Sequence, residues 1–332
     1  MHNSYCDYLA RSFPKYEENF CQYVNTLIEY LNTTNIDVDL IDHLNKKIEL
    51  TNIITQKYTL DPLLVESLIE IPRELFANVK DFNQSLIDSP IQFGSVRDVT
   101  ISQPSLVGYM IQLLKLKELK NVSNVNILEI GTASGYNAVL LADSLTNLNC
   151  RNNTVYTIEF ISSLIPKAIH NISKFYKMES KPANWTKSSI PQRVVGFSTP
   201  RGQLILYKGD GTQSLGVIYD RIIVTAGGDK LPLTFIKYLK DKGVVVMPIQ
   251  DYLVTIVKLK SASTHLRIHS MRDLNSYLHH MILQNNKHQI VDFKGLYSLS
   301  ITLVIPVNFV PLRYTKSTTV AAGAERPPAG TH

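Results

Sequence analysis

The sequence is poor in the features that mark several large classes of protein. Its 332 residues include three cysteines, 15 glycines and 15 prolines, and 19% of the residues are charged. So few cysteines, with no Cys-x-x-Cys pair, exclude a disulfide-rich secreted scaffold and predict reduced thiols. The glycine and proline contents exclude a collagen-like or Pro-rich fibrous chain, and the 44% hydrophobic content excludes a wholly disordered one. The chain is therefore predicted to be globular.

The sequence also lacks a strong charge imbalance and a long apolar run. The 34 Lys and Arg residues outnumber the 28 Asp and Glu residues without forming a basic block, so no nucleic-acid partner is expected. Residues 1–20 lack the basic and apolar regions of a signal peptide, and no apolar run approaches the roughly 18 residues that span a bilayer. We therefore expect a soluble, cytoplasmic protein with no membrane partner.

Hydrophobic spacing divides the chain into a helical part and a mixed part. Residues 1–75 show helical spacing, which predicts a helical N-terminal extension. Residues 76–313 contain short apolar runs typical of buried strands, at 125–131, 155–159, 204–207, 221–225 and 243–248. Helical stretches follow the first two runs. Strands that alternate with helices predict an α/β domain with a doubly wound, mostly parallel sheet.

Three segments depart from this pattern. The polar segments 176–203 and 261–298 are interpreted as insertions between strands. The apolar runs 253–259 and 300–305 lie on either side of the second segment without a clear parallel crossover, so we expect antiparallel edge strands there. Residues 314–332 are rich in Thr, Ala, Gly and Pro, which predicts a disordered tail.

The most informative motif is an apolar strand followed by a turn of small residues and a helix. Its sequence is Leu128-Glu-Ile-Gly-Thr-Ala-Ser-Gly-Tyr136. Small residues let a ligand approach the backbone, and the unpaired N–H groups of a helix N-terminus favour a nucleotide-like ligand. Related glycine turns occur in dinucleotide-binding dehydrogenases, and many strand-to-helix turns are small by chance.

Two carboxylates lie at the ends of the following strands. Glu159 can accept hydrogen bonds from both hydroxyls of a ribose, and a solvated strand end is the alternative. Asp210, between Gly209 and Gly211, can accept a hydrogen bond from an adenine amino group, and an ordinary Asp-Gly turn is the alternative. Together with the small-residue turn, these features favour an adenosyl ligand. The sequence has no Gly-x-x-x-x-Gly-Lys-Ser/Thr motif, which argues against a nucleoside triphosphate.

A further element precedes the first of these strands. The run Val99-Thr-Ile-Ser-Gln-Pro104 leads into an apolar helical stretch, and proline is favoured in the first turn of a helix. Ser102 and Gln103 therefore fall at the helix cap. There the Ser102 hydroxyl and the positive end of the helix dipole could hold a carboxylate. An ordinary N-cap role for Ser102 is the alternative.

Seven motifs within residues 47–313 resemble, in order, those of the protein-L-isoaspartate (D-aspartate) O-methyltransferases. They are Pro72-Arg-Glu-Leu-Phe76, Thr100-Ile-Ser-Gln-Pro104, Leu128-Glu-Ile-Gly-Thr-Ala-Ser-Gly-Tyr136, Val155-Tyr-Thr-Ile-Glu159, Gly209-Asp-Gly211, Ile223-Val-Thr-Ala226 and Phe309-Val-Pro-Leu312. The resemblance implies a class I methyltransferase fold, S-adenosyl-L-methionine as the methyl donor, and isoaspartyl-containing proteins or peptides as substrates.

The resemblance also implies roles for individual residues. It makes Ser102 the catalytic residue, and it makes Thr100, Gln103 and Thr225 substrate-binding residues. The cofactor-binding residues that it implies are Ile101, Ser102, Glu129, Gly131, Thr132, Ala133, Ser134, Gly135, Glu159, Asp210 and Gly211. No general base is needed, because a carboxylate is already ionised at neutral pH.

Neither a metal site nor a nucleic-acid substrate is expected. His265 and His269 have the spacing of ligands on one helix face, but no Cys, Asp or Glu completes a set, so we interpret them as solvated or structural histidines. The strand end Thr225-Ala-Gly-Gly228 differs from the Asn/Asp-Pro-Pro-aromatic motif of aminomethyltransferases, and a duplex substrate would also require base flipping. A monomer is favoured.

The sequence departs from the family's pattern at four places. Ala133 replaces the central glycine of the small-residue turn, and Arg97-Asp98-Val99 replaces the usual stretch before Thr100. Gly227-Gly228-Asp229-Lys230 replaces an Ala/Pro-rich turn, and the Phe-Val-Pro-Leu element ends in Arg313. These changes keep two alternatives open. One is methylation of a dedicated peptide or protein partner, and the other is a non-catalytic adaptor that keeps the fold.

Overall fold

A computed structural model describes residues 9, 14–34, 36–77, 82–95, 99–179, 182–184, 186, 190–260, 264, 266–309 and 311–312. The predictions about Arg97, Asp98, His265 and residues 314–332 lie outside these ranges. Within these ranges, no helix combines the length and the apolar character needed to cross a membrane.

Three helices form the N-terminal layer of the molecule. They are α1 (Glu17–Asn32), α2 (Leu40–Lys57) and α3 (Pro62–Glu70). Asp39 and Asp61 cap α2 and α3 by accepting hydrogen bonds from backbone N–H groups of their first turns. The three helices share a buried apolar cluster to which α1 contributes Phe20 and Leu27. The expected helical character is therefore confirmed for the residues between 17 and 70 that the structure describes.

The rest of the chain is organised around a sheet of ten strands. They are β3 (Asn126–Ile130), β4 (Asn153–Glu159), β5 (Gln192–Thr199), β6 (Gly202–Lys208), β7 (Tyr219–Val224), β8 (Leu239–Ile249), β9 (Tyr252–Leu259), β10 (Arg267–Ile268), β11 (His288–Phe293) and β12 (Tyr297–Pro306), in the spatial order β10-β11-β12-β9-β8-β7-β3-β4-β6-β5. A separate pair, β1 (Ile91–Gln92) and β2 (Thr100–Ile101), is antiparallel.

Helices cover both faces of the sheet. They are α4 (Pro104–Leu113), α5 (Tyr136–Asn147), α6 (Ile165–Tyr176), α7 (Leu233–Lys237) and α8 (Met271–Leu283). Buried side chains of α4, α5 and α6 belong to one apolar cluster, and those of α7 and α8 belong to a second. The strands β8, β7, β3, β4 and β6 pair in parallel. The predicted doubly wound, mostly parallel α/β fold is confirmed.

The antiparallel strands extend the sheet further than the sequence indicated. The runs 253–259 and 300–305 form β9 and β12, and both are antiparallel to their neighbours as expected. They lie inside the sheet, however, because β11 and β10 pair beyond β12. The two edges are β10 and the antiparallel strand β5, which lies within residues 176–203.

The cysteines differ from the expectation at one position. Cys21 on α1 is disulfide-bonded, whereas Cys150 is a buried free thiol. The prediction of reduced cysteines is therefore wrong at Cys21, because three irregularly spaced cysteines give no sequence signal for a single disulfide.

Candidate functional site

A cavity of about 560 Å³ opens at the carboxyl ends of β3, β4 and β7. Its volume lies within the range of about 300–1,000 Å³ typical of small-molecule sites. The lining residues that the sequence predicted as functional are Thr100, Ile101, Ser102, Gln103, Gly131, Thr132, Ala133, Ser134, Glu159, Gly211 and Thr225. The structure therefore brings five motifs, distant in sequence, to one cavity.

Three predicted site residues do not line the cavity. Glu129 is fully buried in β3, Gly135 is the N-cap residue of α5, and Asp210 is 1% exposed. Each is next in sequence to a residue that lines the cavity.

The turn between β3 and α5 requires glycine at both of its ends. Gly131 and Gly135 have φ angles of 102° and 87°, in the left-handed region that favours glycine. A Cβ atom added at position 131 would lie 2.4 Å from Thr225 Oγ1, and one added at 135 would lie 2.7 Å from Ile172 Cγ1. The turn has no room for side chains at these two positions, and its residues 131–134 form part of the cavity wall.

Ala133 is the non-glycine residue of this turn with a left-handed backbone, at φ 44°. We expect Ala133→Gly to raise the free energy of unfolding by about 1 kcal/mol, because glycine relieves the left-handed strain. Urea denaturation measures this change. Ala138→Gly, within α5, is the matched control and is expected to lower the free energy of unfolding by about 1 kcal/mol. A lower free energy of unfolding in Ala133→Gly would contradict the presence of backbone strain at Ala133.

Glu159 connects the small-residue turn to the segment that follows β4. One carboxylate oxygen accepts a hydrogen bond from the N–H of Ala133 at 2.9 Å, and the other accepts one from the N–H of Ile161 at 2.7 Å. The carboxyl is 4% exposed and lines the cavity. Burial raises its pKa above the ordinary value, although these two N–H groups and the nearby Lys208 oppose the increase. The strand-end carboxylate is thus ordered and faces the cavity.

Glu129 is a buried carboxyl beneath the same turn. Its Oε2 accepts a hydrogen bond from the Thr157 hydroxyl at 2.6 Å, whereas its Oε1 has no hydrogen-bond partner in the described part of the chain. Burial raises the pKa of Glu129 to about 8. The carboxyl is therefore mostly protonated at neutral pH.

The raised pKa of Glu129 predicts a pH-dependent stability. The pKa of Glu129 is about 8 in the folded chain, whereas its ordinary value, which applies to the unfolded chain, is 4.5. Between these pH values the folded chain therefore binds more protons than the unfolded chain. The contribution to stability is complete below pH 4.5 and is lost as the pH rises through 8. Glu129→Gln should therefore reduce the fall in unfolding free energy between pH 5 and 8, by roughly 3 kcal/mol.

Urea denaturation at several pH values tests this expectation. Glu49→Gln is the matched control, because Glu49 is exposed on α2. Its pH profile should follow that of the wild-type chain. Parallel profiles for Glu129→Gln and the wild-type chain would contradict a buried, protonated Glu129.

The Gly209–Gly211 motif is an ordered turn after β6. Asp210 Oδ1 accepts hydrogen bonds from the N–H of Thr212 at 2.9 Å and from its hydroxyl at 2.7 Å. Gly211 lines the cavity, and a Cβ atom there would lie 2.4 Å from Ile130 Cγ2. Asp210 therefore orders the turn, and Gly211 supplies the wall.

The Thr100–Gln103 run forms another part of the cavity wall. Gln103 is the N-cap residue of α4 and makes no side-chain capping bond. An ordinary N-cap role for Ser102 is therefore wrong, because α4 begins at Pro104 and Ser102 lies one residue before the cap. The Ser102 hydroxyl is half-buried in the cavity wall, and no other described group forms a hydrogen bond with it. It is available to a ligand.

Two of the predicted substrate-binding side chains have partners within the protein. The Gln103 amide donates a hydrogen bond to Asp88 Oδ2 at 2.8 Å. The Thr225 hydroxyl donates to the carbonyls of Ile130 and Gly131, at 3.0 and 2.8 Å. Both residues line the cavity, but these hydrogen bonds order its wall.

Sequence reasoning missed several residues of the site. The Asn171 amide, on α6, donates to the Ser134 carbonyl at 3.0 Å and to the Phe76 carbonyl at 3.3 Å. Phe309 and Leu312 line the cavity, although their motif had been assigned no role in the site, and the Leu312 N–H donates to the Gly227 carbonyl. No local pattern marks Asn171, since its partners are 37 and 95 residues away in sequence.

Within the ranges given above, no group of three or more His, Cys, Asp or Glu residues could hold a metal ion.

Comparisons with known proteins place the chain near one family. The model of protein-L-isoaspartate(D-aspartate) O-methyltransferase matches residues 44–274. A protein-L-isoaspartate O-methyltransferase of Ignicoccus hospitalis is 29% identical over 209 residues, which cover 62% of this chain and 82% of that protein. One of Thermosipho melanesiensis is 31% identical over 207 residues, which cover 61% and 86% of the two chains.

A solved structure supports the fold independently. It is a Plasmodium falciparum protein designated a protein-L-isoaspartate O-methyltransferase, in complex with S-adenosyl-L-homocysteine. The two folds superpose with a TM-score of 0.51 at 16% sequence identity, covering 80% of this chain and 98% of the other. The similarity extends the architecture beyond the residues that the family model matches.

Proposed function

We propose, from the premise that this chain belongs to the protein-L-isoaspartate(D-aspartate) O-methyltransferase family, that it methylates the side-chain carboxylate of isoaspartyl or D-aspartyl residues in damaged proteins and peptides. The methyl donor is S-adenosyl-L-methionine. One observation carries the proposal. The Ser102 hydroxyl, the small-residue turn and Glu159 line a single cavity at the carboxyl edge of the sheet.

The lining residues fit an adenosyl cofactor. The small-residue turn lines the cavity with residues 131–134, and position 131 requires glycine because a Cβ atom there would collide with Thr225. Glu159 offers a carboxylate at the end of β4, where ribose hydroxyls can donate to it. When bound, S-adenosyl-L-methionine supplies an activated methyl group on a sulfonium.

The chain's own residues orient the substrate and exclude water. The substrate carboxylate is ionised at neutral pH, so the protein removes no proton from it. The Ser102 hydroxyl donates a hydrogen bond to one carboxylate oxygen, which fixes the direction of the other. Leu106, Leu164 and Phe309 form an apolar part of the wall, which removes water from that carboxylate. Catalysis therefore depends on how the protein positions the substrate carboxylate.

Labelled S-adenosyl-L-methionine tests the proposal with two peptides that differ only in an isoaspartyl or an aspartyl linkage. We expect label in the isoaspartyl peptide only. Labelling of an ordinary aspartyl residue in a partner protein would favour the dedicated-partner alternative. Failure to bind S-adenosyl-L-homocysteine in calorimetry would favour the adaptor alternative.

We also propose a domain organisation and a cellular setting for the chain. Residues 1–75 are an extension of a methyltransferase domain at 76–313, with insertions at 176–203 and 261–298 and a tail at 314–332. The protein acts as a monomer in the cytoplasm. Sedimentation of the purified chain and fractionation of cells that express it test these two points.

A further inference from the structure

The Pro72–Phe76 segment contains two buried charged side chains, next to each other in sequence. Arg73 and Glu74 are each 1% exposed. The Arg73 guanidinium donates hydrogen bonds to five backbone carbonyls at 2.9–3.4 Å, namely those of Ser85, Ile87, Ser89, Ile101 and Ser102. A planar guanidinium with several partners is fixed in orientation. It therefore fixes the backbone that carries the Ser102 hydroxyl.

Asp88 fixes the same region from the other side. It lies in the loop whose carbonyls bind Arg73, and its carboxylate accepts hydrogen bonds from the Ser105 N–H and the Gln103 amide, both at 2.8 Å. Lys57, the last residue of α2, lies 3.3 Å from Asp88 Oδ2 and donates to the Ser105 hydroxyl at 3.1 Å. Hydrogen bonds therefore fix the backbone on both sides of Gln103, the N-cap residue of α4.

Glu74 points to the N-terminal helices. Its Oε1 accepts a hydrogen bond from the Tyr23 hydroxyl of α1 and lies 2.8 Å from His43 Nε2 of α2. Lys47, also on α2 and 2% exposed, lies over the Tyr23 ring at 4.7 Å. Burial alone would raise the pKa of Glu74, but His43, Lys47 and Tyr23 hold it below the ordinary value. A charged Glu74 is therefore attached to both helices.

We propose that the Pro72–Phe76 segment couples the packing of α1 and α2 to the position of Ser102, and that Arg73 is a positioning residue for methyl transfer. The kinetic part of this inference rests on the proposed function. The inference gives a role to α1, which lies outside the residues matched by the family model. A change in α1 is transmitted through Glu74 to its neighbour Arg73 and to the carbonyls that Arg73 binds.

Hydrogen exchange of the full chain tests the coupling without relying on activity. Arg73→Lys keeps the positive charge and replaces the planar set of five N–H donors by one ammonium group. We expect amide exchange in residues 100–105 to accelerate by about tenfold or more. Exchange in residues 131–135 should stay within about twofold of the wild-type value, since Arg73 does not bind that turn.

A conservative pair of variants on α1 separates coupling from loss of fold. Tyr23→Phe removes the hydroxyl that donates to Glu74 and keeps the ring. Tyr30→Phe removes a hydroxyl elsewhere on the same helix and is the matched control. We expect Tyr23→Phe to accelerate exchange at residues 100–105 and to lower kcat about threefold to tenfold, with little change in the Kd of S-adenosyl-L-homocysteine. In Tyr30→Phe, the exchange rate at residues 100–105, kcat and the Kd of S-adenosyl-L-homocysteine should each stay within about twofold of the wild-type value.

Two results would overturn the inference. One is wild-type exchange at residues 100–105 in Arg73→Lys, and the other is an equal effect of Tyr23→Phe and Tyr30→Phe. If Arg73→Lys does not fold, the α1 pair decides the outcome. If the wild-type chain methylates no isoaspartyl peptide, the proposed function fails, whereas the exchange measurements still decide the coupling.

Discussion

Replacing Ser102 by alanine is expected to lower kcat for an isoaspartyl peptide about 100-fold, while the Kd of S-adenosyl-L-homocysteine changes less than about threefold. The hydroxyl is half-buried in the cavity wall and has no partner among the described groups, so its hydrogen bond is available to the substrate. Steady-state kinetics and calorimetry measure the two quantities.

The control for this variant is Ser163→Ala. Ser163 is exposed in the short helix before α6, and its loss should leave kcat unchanged. An equal loss of cofactor affinity and turnover in Ser102→Ala would show a general disturbance of the cavity and contradict a specific role in positioning the carboxylate.

Replacing Glu159 by alanine is expected to weaken binding of S-adenosyl-L-homocysteine about 100-fold. Hydrogen bonds to a charged group contribute about 1.5–3 kcal/mol each, and Glu159 offers two carboxylate oxygens to the cofactor. The variant also loses the bonds to the N–H groups of Ala133 and Ile161, which order the turn. Calorimetry measures the change in Kd.

The isosteric variant Glu159→Gln separates charge from shape. Its amide oxygen keeps one acceptor, so we expect only about a tenfold loss of affinity. A Kd unchanged in both variants would mean that Glu159 orders the strand end without contacting the cofactor.

Local patterns were sufficient to predict which turn and which strand end line the cavity. Short-range rules determine both features. The turn at Gly131–Gly135 needs glycine because its backbone is left-handed, and Glu159 is marked by its position at the end of a strand. Both segments line the cavity. Side-chain partners were not predictable in the same way. Asp210, for example, uses Oδ1 to order its own turn.

Long-range contacts explain what the sequence did not reveal. The bonds from Arg73 to the carbonyls of Ile101 and Ser102 join residues 28 and 29 positions apart, and no periodicity marks them. The strand β5 is a local exception. It lies in a segment interpreted as an insertion because of its polar residues, and it forms a hairpin with β6, in which Thr199 lies opposite Gly202. Cross-strand pairing there outweighs local propensity.

The most direct test of the account is a crystal structure with S-adenosyl-L-homocysteine and an isoaspartyl peptide bound. We predict that the cofactor lies along residues 131–135 with its ribose at Glu159, and that one oxygen of the isoaspartyl carboxylate lies about 3 Å from Ser102 Oγ. A cofactor bound elsewhere, or a carboxylate remote from Ser102, would contradict the account.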